Sequence, residues 1–276
     1  MLISVFAVTD RGIEKAVNDD RVLMGDCVLS AGCVGGVREL PFCAAVFDGV
    51  SCGGHGAEAS SIASSRFVGY AERFGKGLFG SLSDEEALGG VLGDIQAELL
   101  AYRNSISSRE AIATTVSGIA MGSDDRLLGF NVGDSRIYRF RAGMLAQMTT
   151  DDSMVQSLID NGADIHLIEQ AKEESAHVIT KALGIPLKDL GAPVEDFGVF
   201  MLGDIYLGCT DGLSGFVSRD EIKTCLASDL TVREKGLALR DMALRAGSYD
   251  NISLFLIAIE SSPQSVDGGT GGREEA

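Results

Sequence analysis

Short apolar runs that break off at an acidic residue recur along this chain. Phe42 to Phe47 reads FCAAVF, a continuous apolar segment of the length of a buried strand, and it stops at Asp48-Gly49 before the loop VSCGGHG. Asp204 to Thr210 reads DIYLGCT, apolar and β-prone, and it too ends in an Asp-Gly pair, Asp211-Gly212. Ser248-Tyr249-Asp250-Asn251 stands immediately before the run ISLFLIAI, and Phe130-Asn131-Val132-Gly133-Asp134-Ser135 lies between two apolar stretches. Asn18-Asp19-Asp20 precedes a further run, Arg21 to Leu29. A single Asp-Gly is equally an ordinary turn pair. At the mouth of a buried strand, however, Asp48 offers carboxylate oxygens and Gly49 an unshielded carbonyl, which suits a hard cation. The repetition at strand ends makes chemical sense if the strands converge and the carboxylates bind divalent metal.

Composition narrows the field. A chain of 276 residues and 29.0 kDa has ample apolar material for one large domain, expected over residues 1–260. With 23 basic against 40 acidic residues the net charge is −17, which makes nucleic acid and anionic membranes poor partners. The six cysteines form no CxxC pair and read as reduced thiols of a cytoplasmic protein. MLISVFAVTDRG lacks the basic start and long apolar segment of a signal peptide, and no run approaches the ~20 apolar residues of a membrane span. The expectation is a soluble, cytoplasmic monomer.

In order, strands are expected at Leu2 to Val8 and Arg21 to Leu29, then a glycine-rich loop, AGCVGGVREL, before the Asp48 strand. Ala57 to Phe74 and Ser83 to Asn104 read as helices, the second opening with a capping box, Ser83 with Glu86. A meander follows in Ala113 to Met121, Arg126 to Val132, Ser135 to Phe140 and Met144 to Met148. Two short helices, Asp151 to Asn161 and Asp164 to Glu173, sit in a polar stretch expected to form a flap at about 152–180. Val178 to Leu183, Pro193 to Val199, Asp204 to Cys209 and Ile252 to Ile259 return to strand, with helices at Arg219 to Ala227 and Thr231 to Arg245. Residues 261–276 are polar and glycine-rich and read as a disordered tail. The census gives an α+β fold of helices on antiparallel sheets. Dinucleotide and P-loop readings fail: GGHG at 53–56 lacks the full fingerprint, and no GxxxxGK[ST] occurs.

The ordered blocks GIEKAVNDD, AAVFDGV…GGHGAEAS, ATT, NVGDSRIYRFRAGMLAQMTTDDS, TKALG, CTDGLSGFVS and SYDNISL resemble the metal-dependent serine/threonine protein phosphatases of type 2C, the PPM family, and most of all its compact bacterial members. The resemblance spans roughly residues 4 to 259. It implies two antiparallel β-sheets packed as a central sandwich with helices on both outer faces, in α-β-β-α layers. It implies hydrolysis of phosphoserine and phosphothreonine in proteins, substrates of a serine/threonine kinase. A water bridging two Mn2+ or Mg2+ ions would attack phosphorus in line.

By the same resemblance Asp48 bridges the two metals and Gly49 gives its carbonyl to one. Asp211 and Asp250 hold the first metal, and Asp19, where the family usually has Glu, approaches the second, with Asp20 orienting that shell. Asp134, together with Asp211, matches the binding place of a third ion. Asn251 fixes the Asp250 loop. Ligands that are all oxygen favour Mg2+ or Mn2+ over zinc. Two departures stand out. Lys15 falls where the family's arginine grips substrate phosphate and lacks the planar fork. Val50 replaces a histidine proposed as general acid in eukaryotic relatives, a histidine that bacterial members also lack. His55 and Cys52 lie in the same loop, where a catalytic role for the first and a redox role for the second compete with the plainer reading of loop residues. His166 and His177 read as solvated flap residues. The alternative function is a catalytically weak regulatory module that binds phosphoproteins or a kinase partner; a third reading is a hydrolase of small phosphate esters.

Overall fold

The computed structural model describes residues 2–50, 54–77, 83–106, 110–175, 177–186 and 190–260; Cys52 and the stretch 261–276 lie outside them. The chain begins with β1 (Leu2–Asp10), β2 (Arg21–Met24), β3 (Cys27–Leu29), β4 (Gly32–Glu39) and β5 (Phe42–Phe47). Helices α1 (Gly56–Gly75) and α2 (Asp84–Ser105) follow, then β6 (Val116–Met121), β7 (Arg126–Val132), β8 (Arg136–Arg141) and β9 (Met144–Gln147). Short helices α3 (Met154–Asp160) and α4 (Ile165–Glu174) lead to β10 (Val194–Val199) and β11 (Ile205–Cys209). The described chain closes with α5 (Asp211–Ser214), α6 (Arg219–Ala227), α7 (Val232–Arg245) and β12 (Ile252–Ile259). No helix among the described residues is long and apolar enough to cross a membrane.

The strands form two six-stranded antiparallel sheets, ordered β4-β1-β12-β11-β8-β9 and β10-β7-β6-β5-β2-β3. Alternation along each central strand shows why its sequence is apolar throughout. In β5, Phe42, Ala44 and Val46 face the core between the sheets, where they meet Tyr206, Phe255 and Ile257. Cys43, Ala45 and Phe47 face outward onto Phe67 of α1 and Leu92 and Leu99 of α2. In β12, Ile252, Leu254 and Leu256 turn outward onto Leu213, Ile222 and Leu239 of α5, α6 and α7. The central strands of both sheets are therefore buried on both faces, giving the α-β-β-α layering expected. Truncating one such side chain to Ala costs about 2–5 kcal/mol.

The helix starts follow local chemistry. Ser83 with Glu86 and Thr231 with Glu234 form complete capping boxes, and Ser218 with Glu221 makes another. Four expectations need correction. Arg21 to Leu29 is a hairpin of two strands, because Gly25 turns the chain with φ +65°. The glycine-rich stretch is a strand, β4, paired along β1 from Leu2 opposite Glu39 to Thr9 opposite Gly32. Its backbone hydrogen bonds to a settled neighbour override its poor strand propensity. Val178 to Leu183 forms only isolated bridges, Ile179 to Ser153 and Leu183 to Thr114. Asp211 opens the short helix α5, which periodicity does not reveal.

Candidate metal centre

Pairing register explains how acidic residues so distant in sequence meet. In one sheet Cys209, at the end of β11, stands beside Leu254 of β12 and Arg136 of β8, while Ile252 at the start of β12 stands beside Asp10. Asp211, Asp250 and Asp134 therefore leave from the same end of that sheet. In the other, Phe47 pairs with Arg21, which brings Asp48 alongside the Asp19-Asp20 pair.

Hydroxyls and one amide hold these loops together. Thr115 N–H donates to the Asp48 carbonyl at 2.8 Å, and Thr115 Oγ1 accepts from Asp48 N–H at 3.2 Å. The same hydroxyl shares a 2.8 Å hydrogen bond with Ser135 Oγ, so one threonine ties the end of β5 to the turn carrying Asp134. Thr114 Oγ1 donates to the Asp48 carbonyl as well. Asp20 is buried, its Oδ2 accepting from Thr210 Oγ1 at 3.0 Å. Asn251 Oδ1 accepts from Asp19 N–H at 2.8 Å, and its Nδ2 donates to the carbonyls of Arg11 and Val17. The loop from Arg11 to Asp19 is thereby fastened to the start of β12. A Cβ on Gly56 would lie 2.6 Å from the Gly49 oxygen and 3.0 Å from Asp19 Cγ. The Gly49 carbonyl and the Asp19 carboxyl group converge on that point, a cradle that a side chain at 56 would fill.

The carboxylates are crowded. Burial raises Asp48 well above the usual range, and Asp20, Asp211, Asp134 and Asp250 push it further. Burial takes Asp20 up to about 7, helped by Asp211 and Asp250 and opposed by hydrogen bonds from Ser253 and Thr210. Asp134 is also pushed up to about 7, by burial and then by Asp211 and Asp151. Lys15 Nζ lies 2.9 Å from Asp250 Oδ1; burial opposes its charge, but Asp250, Asp48 and Asp19 prevail and raise its pKa. His177 Nδ1 lies 3.3 Å from Asp211 Oδ2, a contact that raises the imidazole above its ordinary value against the effect of burial.

This chemistry fits a hard divalent cation. The donors are carboxylate and carbonyl oxygens, and Asp211 Oδ1 is buried with no hydrogen-bond partner among the described residues. Carboxylates that raise one another lose that repulsion when a doubly charged ion joins them. Among the described residues no three acidic, histidine or cysteine side chains are drawn tightly enough to grasp one ion as they stand. Asp250 is held by Lys15 and Asp211 by His177.

His166 is exposed, with its backbone N–H on Asp164 Oδ1. His177 departs from the solvated reading: it is exposed, but its ring bridges Asp211 and the Tyr249 hydroxyl. Its partners are 34 and 72 residues away, beyond any local pattern. His55 is the N-cap residue of α1, with Nδ1 3.9 Å from Glu58. Thr114, Thr115 and Thr210 escaped the sequence reading as supports, although the first two are the hydroxyls of the ATT block.

Residues 16–163 match the family model described as Protein phosphatase 2C. The chain is 30% identical over 266 residues to the serine/threonine protein phosphatase PstP of Mycobacterium tuberculosis, covering 93% of this chain and 45% of that protein. It thus spans about half the length of that relative. It is 30% identical to the serine/threonine phosphatase stp of Listeria monocytogenes, covering 77% of this chain and 82% of the relative. The crystal structure of PstP/Ppp superposes with a TM-score of 0.77 at 27% identity, covering 95% of this chain and 100% of that one. A structure of the PstP catalytic domain in complex with two manganese ions gives 0.73 at 28% identity, covering 94% and 100%.

Proposed function

The chain belongs to the protein phosphatase 2C family, and from that premise we propose that it hydrolyses phosphoserine and phosphothreonine in proteins with Mn2+ or Mg2+. The observation that carries the proposal is the convergence of Asp20, Asp48, Asp134, Asp211 and Asp250 at one end of the sandwich, where Asp211 and Asp250 act on Asp20 and Asp48, and Asp211 acts on Asp134. Asp48, Asp211 and Asp250, with the Gly49 carbonyl and Asp19, would hold a metal pair; Asp134 with Asp211 would hold a third, weaker ion. When bound, the ions supply an activated water and neutralise charge on the phosphoryl oxygens. The chain's own part is to fix the oxygens. Asp20, braced by Thr210, backs the carboxylates from within, and Thr115 keeps the Asp48 and Asp134 loops in register. Lys15 supplies the cation at the phosphate-gripping position as a point charge without a fork. Phosphorylated proteins are the proposed substrates and the cytoplasm the proposed compartment.

The test is release of phosphate from a phosphothreonine peptide by the purified chain, with Mn2+ and with chelator, alongside a small phosphate ester. Turnover that requires Mn2+ and prefers the peptide is expected. Asp48→Asn and Asp211→Asn are each expected to abolish it while circular dichroism stays native. Turnover undiminished by chelator, or near-normal rates for either variant at saturating Mn2+, would sink the assignment.

A further inference from the structure

Lys15 does not reach into open space, as a side chain waiting for phosphate would. Its ammonium sits on Asp250, with Asp48 and Asp19 the next carboxylates within its electrostatic reach. We propose that Lys15 competes with the divalent ion for the Asp250 carboxylate, so that this chain carries a resident counter-ion in its own metal centre. The inference rests on the metal-dependent reading above.

The backbone around this pair is fixed from both sides. Asn251 grips the carbonyls of Arg11 and Val17, and Arg11 Nη1 donates to the Lys15 carbonyl. Gly12 passes so close to the Asp250 carbonyl oxygen that a Cβ there would lie 2.4 Å from it. Asp250 Oδ1 also accepts from Asn251 N–H at 2.8 Å, which holds the carboxylate in place. The movable partner is therefore the ammonium, on a flexible four-carbon stem. A divalent ion arriving at Asp250 meets a positive charge already hydrogen-bonded there, and the two cannot share the oxygen without strong repulsion. Metal entry would displace Lys15 and release its ammonium toward the substrate phosphate. Filling of the metal site and exposure of the phosphate-binding charge then become one event. An arginine fork at this position, longer and planar, would be a poorer substitute for a small hard cation.

The experiment uses the full chain, stripped with chelator and titrated with Mn2+ by calorimetry, beside thermal melts in chelator. Lys15→Met is expected to tighten the high-affinity Mn2+ binding by about tenfold, the lower end of what a charge-assisted hydrogen bond is worth. The same variant is expected to melt lower in chelator, because its carboxylates lose their counter-ion. Lys181→Met is the control: it removes the same charge from a lysine that pairs with Asp152 and not with Asp250, and should leave the Mn2+ affinity within about twofold. If Lys15→Met does not stay folded without metal, chelator competition from the Mn2+-loaded proteins reads the same affinity ratio. Equal or weaker Mn2+ binding by Lys15→Met, with normal binding by the parent chain, overturns the competition alone. Mn2+ uptake by neither protein overturns the metal-dependent reading, and the competition with it.

Discussion

The His177 imidazole spans the gap between the segment after α4 and the acidic cluster, its Nδ1 3.3 Å from Asp211 Oδ2 and its Nε2 3.0 Å from the Tyr249 hydroxyl. Tyr249 in turn meets Phe216 edge-on at 5.0 Å. One exposed ring thus joins the segment after α4 to Asp211 at the start of α5 and to the loop that carries Asp250. Metal on Asp211 would contend with this contact. In chelator, His177→Ala is expected to speed amide exchange across residues 165–175 and 177–180, because this segment loses a tether. With saturating Mn2+ the difference between variant and parent should shrink. Hydrogen-exchange mass spectrometry reads both conditions, and identical exchange in chelator would show that the ring tethers nothing.

Asp134 differs from the other carboxylates in the company it keeps. It stands in the turn between β7 and β8, near Asp211 and Asp151. Asp134→Ala is expected to spare tight Mn2+ binding, to remove a weaker class of site and to lose most turnover. Calorimetry at rising Mn2+ separates the two classes. Loss of the tight class would show that Asp134 belongs to the metal pair.

At the opposite end of the sandwich, the Arg141 guanidinium makes paired hydrogen bonds to Asp204, 2.7 Å to Oδ1 and 2.6 Å to Oδ2. Burial favours the neutral acid, but Arg141, the Met201 N–H and the Tyr206 hydroxyl outweigh it and hold the carboxyl below its ordinary value. A pKa lowered on folding gives stability that is present above the unfolded value, ~3.9, and is lost as pH falls through the folded one. Arg141→Met strands a buried carboxylate and should cost about 2–3 kcal/mol near neutral pH. In a chain of this size that lowers Tm by roughly 5–10 °C. The gap between variant and parent should narrow in acid as Asp204 protonates, first in the variant and at lower pH in the parent. Mn2+ affinity should not change, since the pair lies away from the proposed metal centre. A gap that stays constant from pH 7 to pH 3 would remove Asp204 ionisation as its cause.

What the sequence made legible was local or repeated. FCAAVF and ISLFLIAI announce strands buried on both faces because each alternate residue finds a core, and the capping boxes are complete within four residues. The carboxylates could be picked out because the same residue recurs where strands end. β4 was hidden because it is an edge strand whose glycines lie against β1: a Cβ on Gly35 would already be 3.0 Å from the Phe6 ring and the Val5 carbonyl. A strand of that kind is specified by its neighbour rather than by its own side chains. His177 was hidden because its meaning lies in Asp211 and Tyr249, which only the folded chain brings to it. Lys15 could be placed by family pattern, but its contact with Asp250 follows from the course of the loop that Asn251 pins.

Thr115 is the residue through which support for the two Asp loops is most directly testable. It is buried, as is Ser135, and its hydroxyl joins the Asp48 N–H to the Ser135 hydroxyl. Thr115→Val keeps the shape and removes only this bridge, leaving the half-buried Asp48 N–H and the buried Ser135 hydroxyl short of partners. That should cost about 1–3 kcal/mol of stability. Because one hydroxyl serves both loops, the tight Mn2+ class, through Asp48, and the weak class, through Asp134, should weaken together. Thr115→Ser restores the oxygen and should return both affinities, though the lost methyl leaves a small stability deficit of roughly 1 kcal/mol. Calorimetry and thermal melts on the three proteins decide the matter. A Thr115→Val protein with a lower Tm but unchanged Mn2+ affinities would make the bridge a matter of folding alone. Weakening of the tight class without the weak one would mean that Thr115 positions Asp48 and leaves the Asp134 turn to hold itself.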